Sequence, residues 1–178
     1  MSIYENFSQT ELDILQARAA RVAAATDKDR QIDELSTLVV HVRGEVYGLP
    51  VDHLTSVYDD VSVTPVPCTP AFVSGIANLR GHIVPVLELG ELLNVPGSKT
   101  TTSKSLVVAS NDQMTIAFHV DVIGDVLATN RDEVSPVPAS LSGEQSTYII
   151  GILPGDIALV DMDALLTDPA LVVSETIV

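Results

Sequence analysis

Four features of this chain recur in the same order about seventy residues apart, and this repeat limits the possible folds more than any other property. The strand-like pair Leu38-Val-Val-His-Val42 and Tyr47-Gly-Leu-Pro-Val-Asp52 is matched by Leu106-Val-Val-Ala109 and Ile116-Ala-Phe-His-Val-Asp121. Val63-Thr-Pro-Val-Pro67, which precedes Gly75-Ile76, is matched by Val134-Ser-Pro-Val-Pro138 before Gly151-Ile152. Ile83 to Leu89 with Leu92-Leu93 is matched by Ile157-Ala-Leu-Val-Asp161 with Leu165-Leu166. The period is too long for a solenoid of small units. The chain reads as two copies of one small β-subdomain.

The densest apolar stretch, Gly75 to Leu89, reads as two strands joined at Arg80-Gly81. Gly81 supplies the positive φ that a tight hairpin turn demands, and Gly75 and Gly151 are taken with it as turn glycines. Ile83, Val84, Val86, Leu87 and Leu89 form a run too apolar for a half-solvated strand. Ile83 and Val86 are therefore predicted to be buried in a barrel or sandwich. Pro85 has no N–H and fits a sheet edge or a bulge. Arg80, one of nine basic residues, stands at the lip of this unit.

In front of the repeat, residues 8–25 read as a helix. Ser8 and Glu11 make a capping box, and Phe7 staples onto Leu12. Leu12, Leu15, Ala19 and Val22 form a narrow apolar stripe, with Arg18 and Arg21 off it. Residues 26–34 are a polar linker. Leu38–Arg43 and Val46–Val51 are strands hinged at Gly44-Glu45; Asp52–Leu54 is a helical turn and Thr55–Val63 a returning strand. Pro65, Pro67 and Pro70 mark a corner, and Gly90–Asn94 a short helix. The hydrophilic residues 96–105 separate the copies. In the second copy Asn111-Asp112 and Pro154-Gly155-Asp156 are turns, and Asp161–Leu166 is a short terminal helix. The expected domains are 1–34 (helix and linker), 35–170 (first barrel 35–96, second 105–167) and a tail, 171–178.

Composition narrows the function. The chain has 178 residues, is 46% hydrophobic and carries a net charge of −15. The apolar share argues against disorder, and the acidity disfavours nucleic acid and anionic membrane surfaces as partners. Cys68 is the sole cysteine, so an internal disulfide is impossible and a reducing compartment follows. No signal peptide or apolar run of bilayer length is visible, and a cytoplasmic protein is expected.

Catalytic signals are nearly absent. Asp52 and Asp121 hold equivalent places in the repeat, but His-Leu and Val-Ile follow them instead of the tight Ser/Thr-Gly loops of an aspartic dyad. Capping the next helical turn is the better role for both. His41, His53, His82 and His119 have no metal-ligand spacing among themselves or with Cys68, so no metal or cofactor is expected. Cys68 has no basic neighbour to activate it, and no Gly-rich phosphate loop opens a helix. A binding protein with apolar faces remains, against a small acidic β-barrel enzyme as the alternative.

The segment TPAFVSGIANLRGHIVPVLELGELL, with YGLPVDHLTSV before it and IAFHVDVIGDVLAT and VSPVP after it, resembles the CheW-like chemotaxis coupling proteins. The resemblance runs from about Leu35 to Leu166. It implies a mainly β fold of two intertwined five-stranded SH3-like barrels, here with an added N-terminal helix. It also implies a non-enzymatic adaptor between chemoreceptor cytoplasmic tips and the regulatory domain of a CheA-type histidine kinase. Arg80 then falls on the receptor-binding surface, and Leu54, Val57 and Val126 at groove-lining positions. Ser56 departs from the family, which often carries Glu there. The resemblance fits flagellar chemotaxis or a non-flagellar pathway of surface motility or development, with the protein at receptor arrays beside the inner membrane. Met1 and the capped helix favour a stand-alone adaptor over a kinase fragment.

Overall fold

The computed structural model describes residues 34–97, 105–139 and 147–171. The predicted helix over residues 8–25 and the polar linker up to residue 33 lie outside this range, as does most of the tail, while Glu34 opens the first strand. From Leu35 onward the chain forms one unit. The strands are β1 (Glu34–Val42), β2 (Glu45–Pro50), β3 (Leu54–Tyr58), β4 (Val73–Leu79), β5 (His82–Glu88), β6 (Ser105–Ser110), β7 (Thr115–Val120), β8 (Val122–Asn130), β9 (Ile149–Leu153) and β10 (Ile157–Val160). Helix α1 (Leu89–Leu92) follows β5, and α2 (Met162–Thr167) follows β10.

One sheet runs β8-β1-β2-β10-β9 and the other β3-β6-β7-β5-β4. The leading hairpin of each copy therefore completes the sheet of the other. β10 pairs in parallel with β2, matching Ala158 with Tyr47, and β5 pairs in parallel with β7, matching Val86 with Ala117. This corrects the contiguous barrels expected at 35–96 and 105–167, since neither half of the chain contains a complete sheet. The repeat exposes the two copies, but a parallel pairing closed by a long crossover leaves no local mark of which copy supplies the partner.

Local chemistry explains the hairpins. β1 and β2 pair from Thr37↔Pro50 to Val42↔Glu45, leaving Arg43-Gly44 as the turn, one residue before the expected hinge. Arg43 and Gly44 have φ of 53° and 87°, and Arg80 and Gly81 have 52° and 91°. Two successive positive φ values match the type I′ turns whose twist suits a two-residue hairpin. Gly75 and Gly151 instead lie inside β4 and β9, which corrects their assignment to turns. Their shared role is close approach. Thr64 exchanges backbone hydrogen bonds of 2.8 and 2.9 Å with Ile76, and Ser135 two of 2.8 Å with Ile152. A Cβ on Gly75 would fall 2.1 Å from the Thr64 carbonyl oxygen, and one on Gly151 2.4 Å from a Val134 methyl. β3 stops at Tyr58, so the strand expected over Thr55–Val63 is cut short and only the Thr64 bridge lies beyond it.

The register after the Arg80-Gly81 turn decides which side of β5 faces inward. Ala77 opposes Val84 on the core side, whereas Asn78 opposes Ile83 and Ile76 opposes Pro85 on the outer side. Ile83 is 62% exposed and Val86 fully buried, which corrects the expectation that both are core. Ile76 directs its N–H and carbonyl to Thr64, so it faces Pro85 as a non-hydrogen-bonded pair. The N–H that Pro85 lacks would point away from β4, where pairing with β7 begins only at Val86. A proline is thus tolerated within the sheet. Val86→Ala is expected to lose roughly 2 kcal/mol of stability through lost burial and a cavity, and Ile83→Ala no more than about 0.5 kcal/mol. Urea denaturation of both variants checks the register, and equal losses would refute it.

Among the described residues, three apolar clusters hold the sheets. The largest draws Leu38, Val40 and Leu49 from one sheet, Leu87, Val107 and Phe118 from the other, and Leu89, Leu165 and Leu166 from the helices. Smaller clusters line each sheet separately, around Val84, Val86 and Leu106 and around Leu153, Ile157 and Leu159. Asp161 caps α2, its Oδ1 accepting the Ala164 N–H at 2.9 Å. Beyond α2, the Tyr148 hydroxyl donates to Asp168 Oδ2. Burial, then this bond, push Tyr148 up to about 12, and the bond holds Asp168 below its ordinary value. The raised tyrosine favours the fold while protonated, so its contribution is complete below pH 10.0 and fades as pH climbs toward about 12. In an alkaline absorbance titration Tyr148→Phe should remove a phenol that ionises at about pH 12; an unchanged late step would refute the assignment.

Candidate partner-binding surface

Arg43 and Arg80 each lead a two-residue turn of the same type within the first copy, yet the structure uses them differently. The Arg43 side chain is 7% exposed. Its Nη2 donates to Glu91 Oε1 at 2.5 Å and its Nη1 to the Val95 carbonyl at 2.6 Å. Its backbone N–H donates to Asp121 Oδ2 at 2.5 Å. Gly90 makes room, since a Cβ there would sit 2.8 Å from Arg43 Nε. Arg43 is therefore a clamp between the β1–β2 turn, helix α1 and the β7–β8 junction.

Arg80 faces solvent. Its Cζ lies 5.6 Å from the centroid of the Tyr58 ring, and among the described residues its guanidinium makes no ion pair or hydrogen bond. The Asn78 side-chain oxygen accepts the Gly81 N–H at 2.8 Å and closes the turn beneath it. Tyr58 ends β3, an edge strand on the far side of the sheet order from β4. Sheet curvature brings the two ends together over the core that contains Ala77, Leu79 and Val84.

The other site residues are split. On β3, Leu54, Ser56 and Tyr58 turn inward while Thr55 and Val57 face out. Leu54 packs on the shared core, whereas Val57 is 50% exposed. Val126 is 59% exposed on β8, an edge strand of the other sheet. Arg80 is thus joined to Tyr58, while Val57 stands on the outer face of β3, Leu54 serves the core and Val126 stands on a separate sheet. Tyr58 was not singled out from the sequence, although a tyrosine at a strand end in a chain that is only 4% aromatic was a usable signal.

The repeat also makes two hollows at corresponding places. One, of about 230 Å³, is lined by Tyr47, Val137, Ile149, Ile152 and Ala158, together with the polar Glu45, Asn94 and Asp156. The other, of about 270 Å³, is lined at the corresponding places by Ile116, Val66, Val73, Ile76 and Pro85. Each lies between a proline-rich corner and the strand that the corner bridges.

The polar residues weighed as chemistry are dispersed. Asp121 is bound to Arg43, and Asp52 is exposed in the 3-10 turn Val51–His53; neither caps a helix, which corrects that expectation. His119 Nδ1 lies 3.0 Å from Glu88 Oε1, which also accepts the Ser74 hydroxyl at 2.6 Å. His53 lies 3.5 Å from Asp163. Among the described residues no cluster of three or more His, Cys, Asp or Glu could hold a metal. None of their helices is long and apolar enough to cross a membrane.

The chain is 30% identical over 132 residues to the chemotaxis protein CheW of Helicobacter pylori, covering 72% of this chain and 79% of that one. It is 28% identical over 109 residues to Protein FrzA of Myxococcus xanthus, covering 60% and 66%. The crystal structure of the scaffolding protein TtCheW from Thermoanaerobacter tengcongensis superposes with a TM-score of 0.65 at 24% identity, over 76% of this chain and 94% of that one, and shows the same fold. The CheW-like domain model matches residues 36–170, which takes in all ten strands beyond the first two residues of β1. With that match across both interlocked sheets, the chain belongs to the CheW-like family of chemotaxis coupling proteins.

Proposed function

We propose that this protein is a non-catalytic adaptor that couples chemoreceptor cytoplasmic tips to the regulatory domain of a CheA-type histidine kinase. Arg80 is its central contact. The observation that carries the assignment is an exposed guanidinium, unpaired among the described residues, on a rigid turn of a chain with net charge −15. Exposed Val57 offers an apolar point on the outer face of β3, Leu54 supports that strand from the core, and Val126 offers a second apolar point on β8. The two hollows suit side chains of a partner barrel. The protein works in the cytoplasm, at receptor arrays beside the inner membrane. A second assignment is coupling in a non-flagellar chemosensory pathway, in which the same contacts serve a different output.

Arg80→Glu is expected to weaken binding to a receptor-tip fragment by about 2 kcal/mol or more, through lost attraction and new repulsion. Its melting temperature should stay near that of the parent, because the side chain is exposed. Calorimetric titration and thermal melting, run on the same samples, test both halves. A large drop in melting temperature with binding retained would show a fold residue instead.

A further inference from the structure

Arg80 is restrained at both ends of its side chain. Its backbone sits at φ 52° in a turn closed by the Asn78-to-Gly81 hydrogen bond of 2.8 Å. Its guanidinium lies over the ring of Tyr58. That ring is itself held from behind, half-buried against the cluster of Ala77, Leu79, Val84 and Leu106. A guanidinium attracted to an aromatic face spends none of its N–H donors on that contact, so they stay available. An aromatic platform also leaves the positive charge uncancelled, which a carboxylate partner within the protein would not.

We propose that Tyr58 is the positioning residue of this surface, holding the Arg80 guanidinium so that its N–H edge meets a carboxylate of the partner. The inference rests on the assignment of Arg80 as a partner contact. Ordering a long side chain before binding removes part of the entropy lost on association. The ring, not the hydroxyl, does this, so phenylalanine should replace tyrosine without loss.

The experiment titrates a soluble helical-hairpin fragment of a chemoreceptor tip from the same organism against the full chain, Tyr58→Phe, Tyr58→Leu, Arg80→Ala and the Tyr58→Leu/Arg80→Ala double variant. Tyr58→Phe should bind as the parent, and Tyr58→Leu about 3- to 10-fold more weakly. The double variant should bind no more weakly than Arg80→Ala alone. In proton NMR of the unmodified protein, ring current should shift the Arg80 side-chain resonances upfield, and Tyr58→Phe should keep that shift. If Arg80→Ala loses binding while Tyr58→Leu does not, the positioning role is wrong and Arg80 remains a contact. If Arg80→Ala binds normally, both fall. Should Tyr58→Leu fail to fold, an unshifted Arg80 in the parent overturns the proposal.

Discussion

Gly75→Ala is expected to lose about 3 kcal/mol or more of stability, which in a chain of this size lowers the melting temperature by about 6–12 °C. The added Cβ would meet the Thr64 carbonyl oxygen at 2.1 Å, its carbon at 2.7 Å and Pro65 Cα at 3.0 Å, all of them backbone atoms. No side chain can swing aside to relieve the overlap. Either β4 moves or the Thr64–Ile76 bridge opens, and each of its two hydrogen bonds contributes about 1 kcal/mol. A φ of 149° adds strain for any residue with a side chain. Gly44→Ala is the control, because its φ is 87° but nothing lies within 4 Å of the added carbon. That variant should lose only about 1–2 kcal/mol, the penalty of the left-handed backbone alone. Equal losses from the two variants in urea denaturation would show that close approach is not what requires Gly75.

Arg43→Ala should be nearly as damaging, at about 3 kcal/mol. Removing one partner of a buried ion pair leaves the other charge poorly solvated, commonly a loss of 3–5 kcal/mol. Here Glu91 keeps 30% of its side-chain surface, which places the loss at the lower end. The Val95 carbonyl also loses its donor. Replacing both charges with apolar groups, as in Arg43→Met with Glu91→Met, should recover much of the loss, since no buried charge is then stranded. A loss below about 1 kcal/mol for Arg43→Ala would mean that the turn and α1 are held by packing alone. Arg80→Ala, in a turn of the same type, should leave stability nearly unchanged. The same residue in the same type of turn thus serves the fold in one hairpin and the surface in another.

That pair of arginines shows where sequence stops being informative. Arg43-Gly44 and Arg80-Gly81 look alike in the chain, and both form type I′ turns as local rules require. Which guanidinium is buried depends on what lies opposite. Gly90 and Glu91 of α1 receive Arg43, while the end of β3 places Tyr58 under Arg80. Those neighbours are 47 and 22 residues away by chain number, 90 − 43 and 80 − 58, and no local pattern announces them. Ile83 makes the same point. Its apolar run suggested a strand buried throughout, but a two-residue turn and a side-chain period of two send Ile83 and Pro85 outward and Val84 and Val86 inward.

Local chemistry, readable in order along the chain, determined most of the strands, the hairpin turns, the short helix after Asp161 and the existence of two copies. The matched Thr64–Ile76 and Ser135–Ile152 bridges confirm how far that repeat extends. The resemblance to a known family added the interlocked pair of barrels and the interest of Arg80. Only the tertiary structure decided that β1–β2 closes the sheet of β9–β10, that β6–β7 closes the sheet of β4–β5, and that Gly75 and Gly151 are needed inside strands. The physical reason is range. Turn and strand preferences act over a few residues, whereas sheet exchange, close backbone approach and the placing of a charge are settled by atoms that meet only after the chain has crossed itself.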